Sequence, residues 1–529
     1  MRVAAWWLLL LNARATTIWP APAHMHAGNG IVAVSSDAEW RLSHPHCATL
    51  RAAVERYRAL IFARGPRPVA RGVLRIEVHV ANASEAYPAD WSAVDESYEL
   101  SHAEAGAAVR ARSRTVYGAL RALETLSQAV IFGAFGSDGY FLPSPFKVRD
   151  APRFAHRGLL VDAARHFLPP RLLERTVDAM SYTKLNVLHL HLSDHESFPL
   201  RLPGFPSLKP WSWREAYTVD DMARLVEYGR LRGVAVMAEA DSPGHAAPSW
   251  CRGNASHLCV ASCVAPDGGF KPPLRPGAET EALVDGVLAA LAAIFPYGLL
   301  HAGGDEVQRQ CWDADGPSRA WMAERGLDAA GTFRRFTSKA AASARAAGRR
   351  AVQWNDVHEV GAVQWNDVHE VGAAADARAV VQVWKRERAA VGRRTIAETI
   401  ARAADAGHDV IASPQHATYL SLVDTPPSRA YDFEPCVDLG DASCGRVLGV
   451  EAAVWGEKVD AAELERTAWP RAAAVAERAW SPRAARYSAR TEARLLEFRC
   501  VLLGRGVGAG RVRAAKARDA PAGPGSCRE

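Results

Sequence analysis

The stretch YGLLHAGGDEV, residues 297–307, starts apolar, turns on two glycines and runs into two adjacent acids before Val307. That is the pattern of a short buried strand whose chain bends at its C-terminal end. Seven other stretches share it: GLLVDAA (158–164), NVLHLHLSD (186–194), VAVMAEAD (234–241), RAVQW (350–354), AVVQVW (379–384), DVIASP (409–414) and VLGVEAAVWGE (447–457). Each is an apolar run with polar or aromatic residues at or just past its C-terminal end. Amphipathic segments such as TVDDMARLVEYGRLRG (218–233) lie between them. Alternating runs and helices predict a parallel sheet. An open doubly wound sheet would gather its site at one crevice. Only a closed barrel brings eight strand ends to one face. The expected fold is therefore α/β, a (β/α)8 barrel, with its chemistry where Asp305 and Glu306 stand.

Upstream the character differs. In residues 1–15, Arg2 precedes the short apolar run Val3 to Leu11, and Ala13 and Ala15 are spaced like a cleavage site, so a secretory signal is expected. Residues 16–150 mix an alternating segment, VLRIEVHV (73–80), with an amphipathic one, TVYGALRALETLSQAV (115–130), and predict a smaller α+β domain. The barrel and a C-terminal extension fill 151–529. No later run approaches about 20 apolar residues, so no membrane span is expected. The formal net charge of +6 is small for 529 residues, and the arginines are dispersed among Ala and Glu, which argues against nucleic acid as a partner. Nine cysteines suit an oxidising compartment. Cys436 and Cys444 could close a short loop, Cys500 and Cys527 flank the chain end, and Cys251, Cys259 and Cys263 cluster upstream of Cys311. A zinc site from these three with His257 is the minor alternative. Asn82 and Asn254 begin glycosylation sequons.

AVQWNDVHEVG occurs twice in tandem, at 351–361 and 362–372. Two copies of an eleven-residue unit do not make a solenoid, so this is a local duplication inside the barrel. Only one copy can fill the strand. Trp354 follows its own helix and RAVQW without a break, and is the favoured occupant over Trp365.

Two carboxylates as close as Asp305 and Glu306 should differ in pKa, one ionised and one holding a proton. At this point the motifs carry a resemblance. HRGLLVDAARHFLP (156–169), KLNVLHLHLSD (184–194), DSPGH (241–245), HAGGDE (301–306), QVW (382–384), WGE (455–457) and WPRAAAVAERAWS (469–481) together resemble the β-N-acetylhexosaminidases of glycoside hydrolase family 20, from about residue 18 to the C-terminus. The resemblance implies hydrolysis assisted by the substrate's own 2-acetamido group. It implies Glu306 as general acid and then base, Asp305 ionised on the acetamide N–H, and Tyr419 on the acetamide oxygen. Asp194 and His245 would form a relay behind the acid. Arg157 would fork onto ring hydroxyls, Glu457 would bind an outer hydroxyl, and Trp384, Trp455 and one of Trp354 and Trp365 would wall the pocket. The partners implied are N-acetylhexosamine-terminated oligosaccharides or glycoconjugates, with room for a homodimer and no metal or cofactor. The implied location is the secretory pathway, ending in a lysosome, a vacuole or outside the cell.

The sequence departs from the family in places. His195-Glu196 follows Asp194, where relatives often carry a second Asp. The strand reads Val-Gln-Trp-Asn-Asp at 352–356. The spacing 384 − 365 = 19 fits relatives, whereas 384 − 354 = 30. Cys47 lacks a partner near Ala81 to Ala83 and is the candidate unpaired thiol. The alternative function is a secreted carbohydrate-binding homologue without turnover.

Overall fold

The computed structural model describes residues 17–88, 90–104, 106–133, 137–261, 263, 271–359, 379–385, 395–512 and 527. The N-terminal part is a six-stranded sheet of β1 (His24–Leu42), β2 (Val73–Asn82), β3 (Tyr98–His102), β4 (Ala108–Thr115), β5 (Ile131–Phe132) and β6 (Tyr140–Asp150). Their order is β1-β2-β4-β3-β6-β5, and the long β1 also pairs with β6. The alternation read in VLRIEVHV is that of a half-buried strand: Val73, Ile76, Val78 and Val80 face the core. The helix Val116–Ala129 packs on this sheet, its N-terminus capped by the Thr115 side chain.

The eight apolar runs form β7 (His156–Asp162), β8 (Val187–His191), β9 (Ala235–Glu239), β10 (Leu299–His301), β11 (Arg350–Trp354), β12 (Val380–Val383), β13 (Val410–Ala412) and β14 (Val447–Val454). They pair in parallel, in sequence order, and close where β14 meets β7 from Gly449–His156 to Val454–Val161. This is the expected α/β barrel. Capping boxes at Thr218/Asp221 and Thr395/Glu398 start two of the intervening helices.

The N-terminal domain seals one end of the barrel. Val187, Ala235, Val352, Val380 and Ile411, near the strand starts, join its core. Buried ion pairs rivet the two together: Glu96 meets Arg121 at 2.7 Å and Arg157 at 2.6 Å, and Asp150 meets Lys184 at 3.0 Å. The strand starts are thereby committed to structure, and the strand ends are left for a site.

Disulfides join Cys251–Cys259, Cys263–Cys311, Cys436–Cys444 and Cys500–Cys527, and Cys47 is a buried free thiol. The zinc alternative falls, since its three thiols are spent in disulfides and His257 pairs with Glu279 at 2.6 Å. Asn82 and Asn254 are exposed. No helix among the described residues is long and apolar enough to cross a membrane.

The first copy of the duplication supplies β11 and the short helix Asn355–Glu359 after it. Trp354 is buried and donates through Nε1 to Glu239 at 2.8 Å. The second copy, Trp365 included, lies outside the described residues. Trp354→Ala removes a large core side chain and should cost roughly 3–5 kcal/mol. Trp365→Ala should leave thermal unfolding close to that of the parent chain. Calorimetry of the two variants decides: a large loss from Trp365→Ala alone would assign the strand to the second copy.

Candidate active site

The turn after β10 sets the acid pair. Gly303 and Gly304 have φ of +64° and +101°, in the left-handed region that glycine tolerates. A Cβ on Gly303 would lie 1.7 Å from Asp241 Oδ1, and one on Gly304 2.5 Å from Val357. Gly304 N–H donates to Asp241 at 2.7 Å, which ties the turn to the end of β9. Glu306 itself sits at φ +47°, and His245, its neighbour across the site, at φ +49°. Such backbone costs on the order of 1–3 kcal/mol per residue and persists where surrounding contacts over-determine it.

His245 stands between two groups of acids. Its Nε2 is 3.6 Å from Glu306 Oε2 and 3.7 Å from Asp305 Oδ2, and its Nδ1 is 3.2 Å from Asp194. Burial opposes its charge, but the carboxylates of Asp194 and Asp305 outweigh burial and hold the imidazole protonated well above its ordinary range. The imidazolium 3.6 Å away then pulls Glu306 down to about 2. Asp305 moves the other way, pushed by burial up to about 6. Asp241 is raised well above the usual carboxylate range by burial and by Asp305, so it keeps a proton that it can share with Asp305. In the substrate-free site the proton expected on Glu306 thus resides on His245. The reason is the imidazolium facing it.

The relay continues inward. Asp194 accepts from His191 Nε2 at 3.1 Å, and His191 Nδ1 meets Glu239 at 2.5 Å. Glu239 also accepts from Trp354, with His301 and His189 at 3.0 and 3.1 Å. His189 in turn reaches Glu451 at 2.7 Å. Burial disfavours ionised Glu239, yet the surrounding imidazoles hold its pKa well below normal, and His191 is raised well above normal against its own burial. These close groupings of His and carboxylate are accounted for by mutual hydrogen bonds and opposite charge. His195 follows Asp194 on the loop after β8. It bonds Asp194 at 2.9 Å, and its ring lies 5.0 Å from that of His245.

Aromatic rings line the other side. Tyr419, after β13, stacks on Trp384 with centroids 6.2 Å apart, and Trp455 lies 5.9 Å from both Tyr419 and Trp354. Burial and nearby Asp305 keep the Tyr419 hydroxyl protonated. Asp356, which the sequence reading passed over, holds this wall to the acid: it accepts from Trp384 Nε1 at 2.8 Å and Glu306 N at 3.3 Å, and pairs with Lys385. The signal was present in its place two residues past Trp354.

Arg157 requires a correction. It lies at the start of β7, at the sealed end, and is 0% exposed. Its guanidinium serves Glu96, the Lys184 carbonyl and the Phe154 carbonyl. No sugar hydroxyl can reach it. Arg165, past the C-terminal end of the same strand, holds the mouth instead. Asp162 accepts from it at 3.0 Å and Asp194 lies 2.6 Å away. Its guanidinium lies 5.2 Å from the Trp455 ring. Asp162 also accepts from Gly456 N at 2.9 Å, which sets exposed Glu457 beside Arg165.

A parallel barrel with an acid pair, a charged relay and an aromatic wall at its strand ends defines a glycoside hydrolase. Residues 154–483 match the model of the glycosyl hydrolase family 20 catalytic domain, and residues 18–129 match the β-acetyl hexosaminidase-like domain. The chain is 34% identical to β-hexosaminidase 1 of Arabidopsis thaliana over 96% of this chain and 94% of that protein. It is 31% identical to the β-hexosaminidase β subunit of Mus musculus, over 93% of this chain and 91% of that protein. Its fold matches the Flavobacterium johnsoniae chitobiase structure with a TM-score of 0.77 at 24% identity, covering 93% of this chain and 73% of that one. The chain belongs to glycosyl hydrolase family 20 and is a β-N-acetylhexosaminidase.

The two arginines should separate cleanly. Arg157→Ala removes one of the two arginines on the buried Glu96 carboxylate, which Arg121 still holds, and should destabilise by roughly 1–3 kcal/mol, with KM of the folded fraction unchanged. Arg165→Ala should raise KM at least tenfold if two sugar contacts are lost, taking about 1.4 kcal/mol per decade. Steady-state kinetics paired with denaturant titration checks this; a raised KM in Arg157→Ala at normal stability would restore the original assignment.

Proposed function

We propose that the enzyme removes terminal non-reducing N-acetylhexosamine, GlcNAc or GalNAc, from glycoconjugates or chitooligosaccharides by substrate-assisted, retaining catalysis. One observation carries this reading: Asp305 and Glu306 are adjacent beneath the aromatic wall, while Asp162, Asp194 and Asp356 at the same mouth are engaged by Arg165, His191 and Trp384. The reading gives each group a task. Trp354, Trp384 and Trp455 hold the sugar and its acetamide methyl. Arg165 and Glu457 take outer hydroxyls. Tyr419 donates to the acetamide oxygen, and ionised Asp305, supported by the proton of Asp241, accepts from the acetamide N–H.

The acetamide oxygen then attacks the anomeric carbon as the glycosidic C–O bond breaks. Glu306 delivers a proton to the leaving oxygen. That proton waits on His245 in the empty site; covering the ion pair with a sugar removes water and favours the neutral pair. The resulting oxazolinium carries positive charge opposite Asp305. Water adds to the anomeric carbon, Glu306 takes its proton, and the acetamide is released. A carbonyl nucleophile held in place gains from proximity, and the fixed charges of the mouth need little reorganisation.

The reading is tested with matched aryl β-N-acetylglucosaminide, β-N-acetylgalactosaminide and β-glucoside. The two acetamido sugars should be hydrolysed and the glucoside left; comparable turnover of the glucoside contradicts the mechanism, and release of no sugar favours the binding homologue. The disulfides support a secretory route, and microscopy of tagged chain would distinguish lysosome, vacuole and exterior.

Glu306→Gln should lose about 10²–10⁴-fold on a poor leaving group and much less on an activated one, which needs little protonation. Equal losses across a leaving-group series would remove Glu306 from the acid role. A pH effect follows from Asp241. Activity requires ionised Asp305 and falls as pH drops through its raised pKa. Asp241→Ala deletes the proton donor beside Asp305 and should move the acidic limb of kcat/KM to higher pH. Asp241→Asn keeps an N–H and should move it less. A limb that moves to lower pH in the alanine variant would contradict the pairing.

A further inference from the structure

We infer that the loop after β8 carries a subsite for the sugars on the reducing side of the scissile bond, built on Trp211 and Trp213. The inference rests on the hydrolase reading above. Among the described residues, five large hydrophobic side chains are exposed. Four of them, Trp211 and Trp213 after β8 and Leu422 and Val423 after β13, lie on connections that leave the C-terminal ends of barrel strands. Trp211 is 43% exposed and Trp213 73%. An indole left that open gains little from folding, and scattered exposure does not explain a bias toward one face of the molecule.

The loop is tied to the site at several points. It begins at Asp194, whose carbonyl receives the Ser249 hydroxyl. Trp211 Nε1 and the Ser197 hydroxyl both donate to the Ala164 carbonyl, at 2.9 and 2.7 Å. Ala164 immediately precedes Arg165, so the Trp211 ring stands at the rim of the pocket. Backbone bonds Phe198 N to Lys209 O and Lys209 N to Ser249 O, both 2.7 Å, brace the approach. The Arg201 guanidinium donates to the Trp213 carbonyl, and the Arg214 guanidinium lies 4.7 Å from the centre of the Trp213 ring. The two tryptophans are therefore presented by a fixed loop.

The occupant follows from continuity with the pocket. On the exo-acting reading above, the pocket takes one terminal sugar and the rest of a chain leaves across the rim. A pyranose has an apolar C–H face and a polar hydroxyl edge. Trp offers a broad apolar face at low rotamer cost. Trp211 and Trp213 stand two residues apart on one loop, both exposed, and so offer two apolar faces to a chain that crosses it. The ligand class is a neutral β-linked N-acetylhexosamine oligomer.

The test compares an aryl β-N-acetylglucosaminide, whose aglycone is small, with chitobiose and chitotetraose in the full chain. Trp213→Ala should keep aryl kcat/KM within about twofold, as a solvent-exposed substitution does. It should lose about tenfold on chitotetraose, erasing the advantage of the longer substrate, and Trp213→Tyr should recover most of it. Trp211→Ala should lose on chitobiose as well. Unchanged chain-length dependence in both alanine variants overturns the subsite and leaves the hydrolase reading intact. Equal losses on aryl and oligomeric substrates overturn it too, as a general disturbance. An enzyme idle on every substrate overturns the hydrolase reading itself. Binding gives a separate readout: chitotriose should quench the fluorescence of Glu306→Gln, and weaker affinity is expected in Glu306→Gln/Trp213→Ala. Equal affinity again overturns the subsite, even if a protein or lipid is found to bind there.

Discussion

The pocket depends on one buried carboxylate. Glu239, at the end of β9, accepts hydrogen bonds from Trp354 and His191 and has His189 and His301 within 3.1 Å. A lone carboxylate at that depth would cost many kcal/mol, so it must be paired. The pairing fixes two things together. Through Trp354 it positions the aromatic wall. Through His191 it braces Asp194, which His245 and Arg165 hold ionised against its burial. Glu306, Arg165 and the aromatic wall are thus referred to one anchor. That explains why HLH and AEAD sit on neighbouring strands with His191 beside Glu239.

The same logic shows which parts of the molecule were legible in sequence. The barrel was legible because every run placed its polar residues at the same end, a regularity that only closure explains. The acid pair was legible because two glycines before two acids leave the chain little else to do. Arg157 was misread because motif matching ignored position within the strand: a residue at the start of β7 faces the N-terminal domain, whereas Arg165, past its end, faces the mouth. Strand polarity alone would have chosen between them. The depth of the relay was not legible, since His189, His191 and Glu451 look like ordinary core positions until the register sets His191 beside Glu239 and barrel closure brings His189 to Glu451. The protonation pattern was also hidden. Whether Glu306 or His245 carries the proton depends on carboxylates converging from three loops: Asp194, Asp241, and the adjacent Asp305 and Glu306. The two tryptophans after β8 gave no signal at all, because exposure is a property of the folded surface.

The account's central claim is that the nucleophile belongs to the substrate. On the proposed mechanism the protein supplies an acid, a charge opposite the developing oxazolinium, and a pocket that presses the acetamide against the anomeric carbon. The most direct measurement varies the nucleophile alone: kcat/KM for aryl glycosides whose N-acetyl group carries none, one, two or three fluorines, with the leaving group held constant. Fluorine withdraws electrons from the carbonyl oxygen and barely alters its size. The account predicts a steep, progressive fall with each fluorine, with the same slope retained in Glu306→Gln on an activated leaving group. A flat series would mean that the acetamide is only a binding handle, and would contradict the account.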